Sequence, residues 1–282
     1  MQLFYDPDDL PDAKRLNDKR IDWLREIGAV ELHRALPDAT GFLFSYQHGE
    51  SHLVQQVEDH PGIHDRPSER QELIRLDDIL RTLAENEIDV PTPKTWVLEI
   101  DQELPDDLKF PLFLRTPRSS WKRGGEQAKV RNLRELADES ELLRRAFGWN
   151  TPIIARQWLD IAVAGKWMFG NAPQEIRTWV VDGEPAAWSF HYLHAVPNPA
   201  GFPLSEDDLS QLKTMAATVA KPFHSRLIVV DFIRDTRLQW HFIEAGPGAV
   251  AGTAHQWVFK YVANRLVGKE TNPIADEVGG AF

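Results

Sequence analysis

Residues 227–248 read LIVVDFIRDTRLQWHFIEAGPG. Two apolar runs flank a short polar centre, the pattern of an antiparallel hairpin with largely buried strands. Asp231 interrupts the first run, and Glu244 ends the second. A lone carboxylate in an apolar strand is costly unless it is paired or bound to metal. Two of them on successive strands predict a shared cation. A hard divalent ion such as magnesium would take their oxygens and keep waters and phosphates as its other ligands. If the register opposes odd to even positions, both side chains rise from one face. Ion pairs with the neighbouring Arg226 or Arg234 are the structural alternative. On the cation reading, Asp231→Asn or Glu244→Gln relieves repulsion and leaves the empty protein intact or slightly more stable. The glycines that follow, GPGAVAG at 246–252, miss the dinucleotide fingerprint by one residue. Pro247 lacks the N–H a pyrophosphate would want, and Glu244 would repel it. The phosphate loop GxxxxGK[ST] is absent.

Upstream, EIRTWVVDGEPAAWSFHY at 175–192 is a second hairpin. Asp182-Gly183 marks its turn, because both central positions of a type I′ turn need positive φ. Glu175, Arg177, Trp179 and Val181 share one strand face, where Glu175 and Arg177 could also simply pair. IIARQWLD at 153–160 is a strand whose Trp158 and Leu159 could line an apolar slot or belong to a plain core. PLFLRTPRSSWKRGGEQAKV at 111–130 runs from a strand ending in Arg115, through a loop, to Lys129. Gly124-Gly125 lets backbone N–H groups approach a phosphate, Ser119 and Ser120 offer hydroxyls, and a guanidinium grips phosphate oxygens in pairs. Residues 109–134 carry eight basic side chains, including Arg118 and Lys122, against the single acid Glu126.

That basic loop stands out in an acidic chain of 282 residues with net charge −11. Dispersed nucleic-acid binding is disfavoured, whereas a compact polyphosphate suits one concentrated patch. No cysteine is present, which removes disulfides, thiolate metal sites and cysteine nucleophiles. The opening residues lack a signal-peptide pattern, and no apolar run reaches membrane-spanning length, so a cytoplasmic protein is expected. Residues 1–90 hold ten basic and twenty acidic residues, nearly the whole net charge, and Val90-Pro91-Thr92-Pro93 follows as an extended linker. A boundary near residue 90 is expected there. Helices are expected at 12–27, from Ser68 with a Ser68-x-x-Gln71 cap, as a pair within 133–147 started by Asn132 and Ser140, at 206–220 behind Ser205-x-x-Asp208, and at 254–267. Strands fall between them, so the fold class is mixed α/β or α+β.

Taken in order, these segments resemble a divergent branch of the ATP-grasp superfamily. The resemblance covers nearly the whole chain and implies an N-terminal subdomain at 1–90, then a nucleotide-binding and catalytic region at 91–282 whose two α+β subdomains close over ATP. It sets Arg115 and Lys129 at the two phosphate-binding positions, with Arg118, Ser119, Ser120 and Lys122 in the covering loop. Trp158 and Leu159 stand at the adenine hinge beside Arg156, which replaces an acid usual there. Glu175 matches the acid that holds ribose hydroxyls. Asp231 and Glu244 match the magnesium ligands, with manganese an alternative ion, and Gly246 occupies the place of an asparagine ligand. His191 or His194 stands in for a further basic residue.

The implied reaction is an ATP-dependent ligation of a carboxylate to an amine through an acylphosphate. Arg115 would hold phosphate, and Arg177 would orient the acylphosphate or its carboxylate. The expected partner is a small molecule or peptide, with no membrane and no nucleic acid. The same site would also serve a kinase, a nucleic-acid end-joining enzyme or a non-catalytic ATP sensor.

Overall fold

A computed structural model of the chain describes residues 1–5, 20–32, 39–44, 60–118, 128–167, 170–191, 202–251, 255–269 and 279–282. Four short parallel strands open it: β1 (Gln2–Tyr5), β2 (Val30–Glu31), β3 (Gly41–Phe44) and β4 (Ile63–His64), in the order β2-β1-β3-β4. Helix α1 (Arg20–Glu26) lies between β1 and β2 in the chain. All four residues of β3 are buried, as expected of a parallel strand covered on both faces.

A second, antiparallel sheet contains β5 (Thr95–Leu98), β6 (Leu112–Arg115), β7 (Lys129–Val130) and β8 (Ile153–Gln157), ordered β5-β8-β6-β7. The largest sheet holds β11 (Glu175–Val181), β12 (Glu184–Phe190), β13 (Leu227–Arg234), β14 (Trp240–Pro247) and β15 (Gly279–Ala281), ordered β14-β13-β11-β12-β15. Between the two lies a hairpin of β9 (Val163–Trp167) and β10 (Gly170–Pro173). The Asp182-Gly183 turn has φ of 52° and 81°, the two positive values its sequence predicts.

Strand alternation gives the large sheet two faces. Ile176, Val180, Ile228, Val230 and Phe232 pack against Leu212, Met215, Ala216 and Val219 of α5 (Glu206–Ala220). The same core takes Ile79 and Leu83 of α3 (Leu76–Glu85), so residues on both sides of the Pro-Thr-Pro segment share it. Trp179, Val181, Leu227 and Val229 on the other face meet Val258, Phe259 and Val262 of α6 (Gln256–Leu266), together with Leu3, Tyr5, Phe42 and Phe44 of the first sheet. No helix among the described residues is long and apolar enough to cross a membrane.

Two helix expectations change. The segment after residue 66 is not one helix capped by Ser68. Arg66 is its N-cap, with Glu69 accepting from the Arg66 N–H at 3.0 Å. Helix α2 (Pro67–Arg70) runs into a 3-10 turn at Gln71–Leu73 and stops. The Leu76 N–H then donates to the Pro117 carbonyl at 3.0 Å, outside any helical ladder, so α3 begins anew. Conversely, α4 (Leu133–Phe147) is one unbroken helix capped by Asn132, and Ser140 is a buried residue within it.

The box before α5 forms as expected. Ser205 Oγ accepts from the Asp208 N–H at 3.1 Å, and Asp208 also accepts from Trp240 Nε1 at 2.9 Å and pairs with Arg234 at 2.9 Å. Burial opposes ionisation of Asp208, but Trp240, Ser205 and Arg234 together hold its carboxyl below the ordinary range. A depressed folded-state value stabilises the fold above the ordinary aspartate pKa of about 3.9, and that contribution is lost as pH falls through the folded value. Asp208→Asn keeps a cap acceptor but not the charge. Urea midpoints measured from neutral pH into the acid range should therefore fall less steeply for this variant. An equal acid slope would show that the charge contributes nothing.

Candidate active site

Register places Glu244 opposite Asp231, Asp231 opposite Arg177, and Arg177 opposite Ser189. Directly opposed residues share a face, so these four form one row across β14, β13, β11 and β12. The row continues the face that carries Trp179 and Val229, and replaces its apolar residues with charge. One step along, Glu175 and His191 stand side by side, with the His191 N–H donating to the Glu175 carbonyl at 3.2 Å. Glu175, Arg177, His191 and Asp231 are all at least nine-tenths buried.

Both carboxylates have cationic partners, but not the neighbours that sequence offered. Arg226 pairs with Asp182 and Arg234 with Asp208. Instead, Arg177 grips Asp231 with two bonds, Nε to Oδ1 at 2.8 Å and Nη2 to Oδ2 at 2.7 Å. Arg115, at the end of β6 in the second sheet, donates through Nη1 to Glu244 Oε2. The empty site is therefore ion-paired, and the expectation that losing Asp231 stabilises the empty protein is overturned: its removal strands a buried guanidinium. Burial pushes Asp231 up, and Arg177 pulls it back against the added repulsion of Glu244 and Glu175. Burial works against the charge of Arg177 as well, yet Asp231, Glu244 and Glu175 together hold it above its usual range.

On the second sheet, Lys129 Nζ lies 5.0 Å from the centre of the Trp158 ring, so a cation–π contact joins these two candidate residues. Leu159 is half-buried beside them, and Arg118 is exposed. Arg156 does not face an open slot. Its guanidinium donates to Thr95 Oγ1 at 3.1 Å, Thr92 Oγ1 at 3.0 Å and the Ile243 carbonyl at 2.5 Å, fastening the linker and β14 to the second sheet. Burial and then Arg115 push Arg156 down to about 9, with Glu244 opposing, so it remains charged at neutral pH. Glu175, set at the ribose by resemblance, turns its carboxylate toward His191. Ser119, Ser120, Lys122, Gly124-Gly125 and His194 lie outside the described residues.

A pair of opposed carboxylates on one face fits a hard divalent ion through its oxygen donors. At the third position, a side chain on Gly246 would meet only Val229 Cγ2, at 3.9 Å, so space is present where no ligand is. His191 is the residue that motif reading placed least firmly. Its signal was the final position of the second hairpin, two residues beyond Ser189 on the same face.

Two antiparallel sheets that bring a strand-end arginine onto a row of carboxylates, behind a small parallel sheet, define an ATP-grasp fold. The chain belongs to an ATP-grasp domain family, the third family of its clade, whose model matches residues 93–266. No curated protein sequence matches it. Among solved structures, it is similar to a D-alanine–D-alanine ligase from Bacillus anthracis complexed with ATP, at 12% identity and TM-score 0.64, covering 95% of this chain and 96% of that one. A RimK domain ATP-grasp protein from Sphaerobacter thermophilus matches at 13% identity and TM-score 0.56, over 94% of this chain and 98% of that one. A D-cycloserine synthetase matches at 13% and 0.55, over 94% and 99%. At these identities the likeness is one of fold.

Proposed function

We propose that this chain is an ATP- and magnesium-dependent ligase that joins a carboxylate to an amine through an acylphosphate. The observation that carries it is the interleaving of Arg115 and Arg177 with Glu244 and Asp231 across the gap between two sheets. That arrangement can exchange its internal ion pairs for a metal and a polyphosphate without leaving a charge uncompensated. Arg115 and Lys129, with Arg118, Ser119, Ser120 and Lys122, hold the phosphates, and Trp158 with Leu159 flanks the adenine. Magnesium held by Asp231 and Glu244 supplies charge neutralisation on the phosphate oxygens. Arg177 orients the carboxylate and then its acylphosphate, so little side-chain proton transfer is required. Residues 1–90 form the subdomain that shapes the acceptor site, residues 91–282 carry the nucleotide, and the acceptor is a small molecule or peptide.

Product analysis tests this. The full chain, incubated with magnesium-ATP and pooled amino acids or short peptides, should release ADP and phosphate together with an amide product. Release of AMP, a phosphorylated product without an amide, or bound ATP that never turns over would each overturn the ligase reading.

A further inference from the structure

With glycine at residue 246, the Asp231–Glu244 pair lacks a third side-chain ligand, but the neighbouring strands bring other donors to Asp231. Glu175, His191 and Asp231 each offer a ligand atom, and these atoms all lie within 4.8 Å of one another. His191 Nε2 is 3.6 Å from Asp231 Oδ2 and 4.0 Å from Glu175 Oε1. Both separations exceed hydrogen-bond length. Both fit inside the roughly 4.2 Å that two donors about 2.1 Å from one ion can span. All three residues are at most 3% exposed, so the spacing is set by the sheet rather than by mobile side chains. Arg177 does not close the site, because a carboxylate oxygen that accepts one guanidinium N–H still has a lone pair for a metal.

A second observation comes from Ser189, opposite Arg177 and two residues before His191 on the same face. It is 1% exposed, and its Oγ has no hydrogen-bond partner among the described residues. A buried hydroxyl without a partner is costly in an empty site and is satisfied by a water on a bound ion.

We infer that Glu175, His191 and Asp231 hold a second divalent cation, sharing Asp231 with the Asp231–Glu244 ion and replacing the ligand that Gly246 cannot supply. The imidazole makes it a mixed nitrogen and oxygen site, which favours a first-row transition metal such as manganese over magnesium. This rests on the nucleotide reading of the face, since the ion and the phosphates enter together.

Pulsed electron paramagnetic resonance on the full chain with manganese and the β,γ-methylene analogue of ATP, whose bridge contains no nitrogen, tests the assignment. The wild type should show nitrogen coupling from a directly bound imidazole. His191→Gln should abolish that coupling and weaken manganese by about tenfold, with magnesium binding changed far less. Bound manganese and nucleotide without imidazole coupling in the wild type would overturn the second site and leave the Asp231–Glu244 reading standing. Coupling that survives in a folded His191→Gln would overturn it too. If the manganese–nucleotide complex does not bind at all, the nucleotide reading itself falls, and this site with it. The wild-type spectrum decides against the site on its own, and Glu175→Gln supplies the second variant if His191→Gln does not fold.

Discussion

Replacing Arg115 and Lys129 together by alanine is expected to weaken ATP binding by about 2 to 4 kcal/mol, the loss of two charge-assisted contacts. Arg115 is the larger part. Its guanidinium is nearly buried at the end of β6 and reaches Glu244 on the facing sheet, so it stands where a phosphate must come if Glu244 is to turn to a metal. Lys129 rests on Trp158 and can leave that contact at small cost. The ion pair adds a complication that a second variant resolves. Arg115→Ala alone leaves Glu244 without a partner it holds in the empty protein, which lowers stability for reasons unrelated to nucleotide. Adding Glu244→Gln removes the stranded charge and should restore much of the stability while affinity stays low. Calorimetry showing unchanged ATP affinity in the Arg115/Lys129 variant would sink the phosphate assignment. Recovery of affinity together with stability would show that Arg115 acts only as scaffolding.

The strands were legible where the local pattern decides them. Asp182-Gly183 announced its hairpin because few residue pairs adopt two positive φ values cheaply, and the alternation around Asp231 and Glu244 put both on one face once the register was odd against even. The ion-pair partners were not legible. Arg177 is 54 positions from Asp231, and Arg115 is 129 from Glu244, whereas sequence inspection favours nearby candidates such as Arg226 and Arg234. Strand pairing across three sheets, not periodicity, chooses among arginines. Short elements failed for another reason. In β15, Gly279 and Gly280 read as a tail, yet they are strand residues because a Cβ on Gly279 would come within 2.7 Å of the Trp188 carbonyl oxygen. Ser140 and Ser68 resemble cap residues, but a cap matters only where the backbone leaves the helix, which tertiary contacts such as Leu76 to Pro117 decide.

Asp231→Asn is expected to destabilise the empty protein by about 3 kcal/mol and to lower turnover by roughly two orders of magnitude or more. The stability cost follows from geometry. Asp231 is 1% exposed and takes two bonds from a guanidinium that is itself buried, so an amide leaves Arg177 with one acceptor and no counter-charge in a poorly solvated place. Retention of that one acceptor keeps the loss at the lower end of what breaking a buried pair costs. The catalytic cost has a separate origin, since the same carboxylate must hold a metal against developing phosphate charge. The two effects separate in one titration. Magnesium-ATP should raise the melting temperature of the wild type, whereas the variant should melt several degrees lower when empty and gain little from the ligand. An empty variant as stable as wild type would show that Arg177 does not depend on Asp231. Loss of stability with turnover near wild type would instead make the pair a structural clamp and move the metal off this row, because no ion that relies on Asp231 could keep its charge-neutralising role after the carboxylate has become an amide.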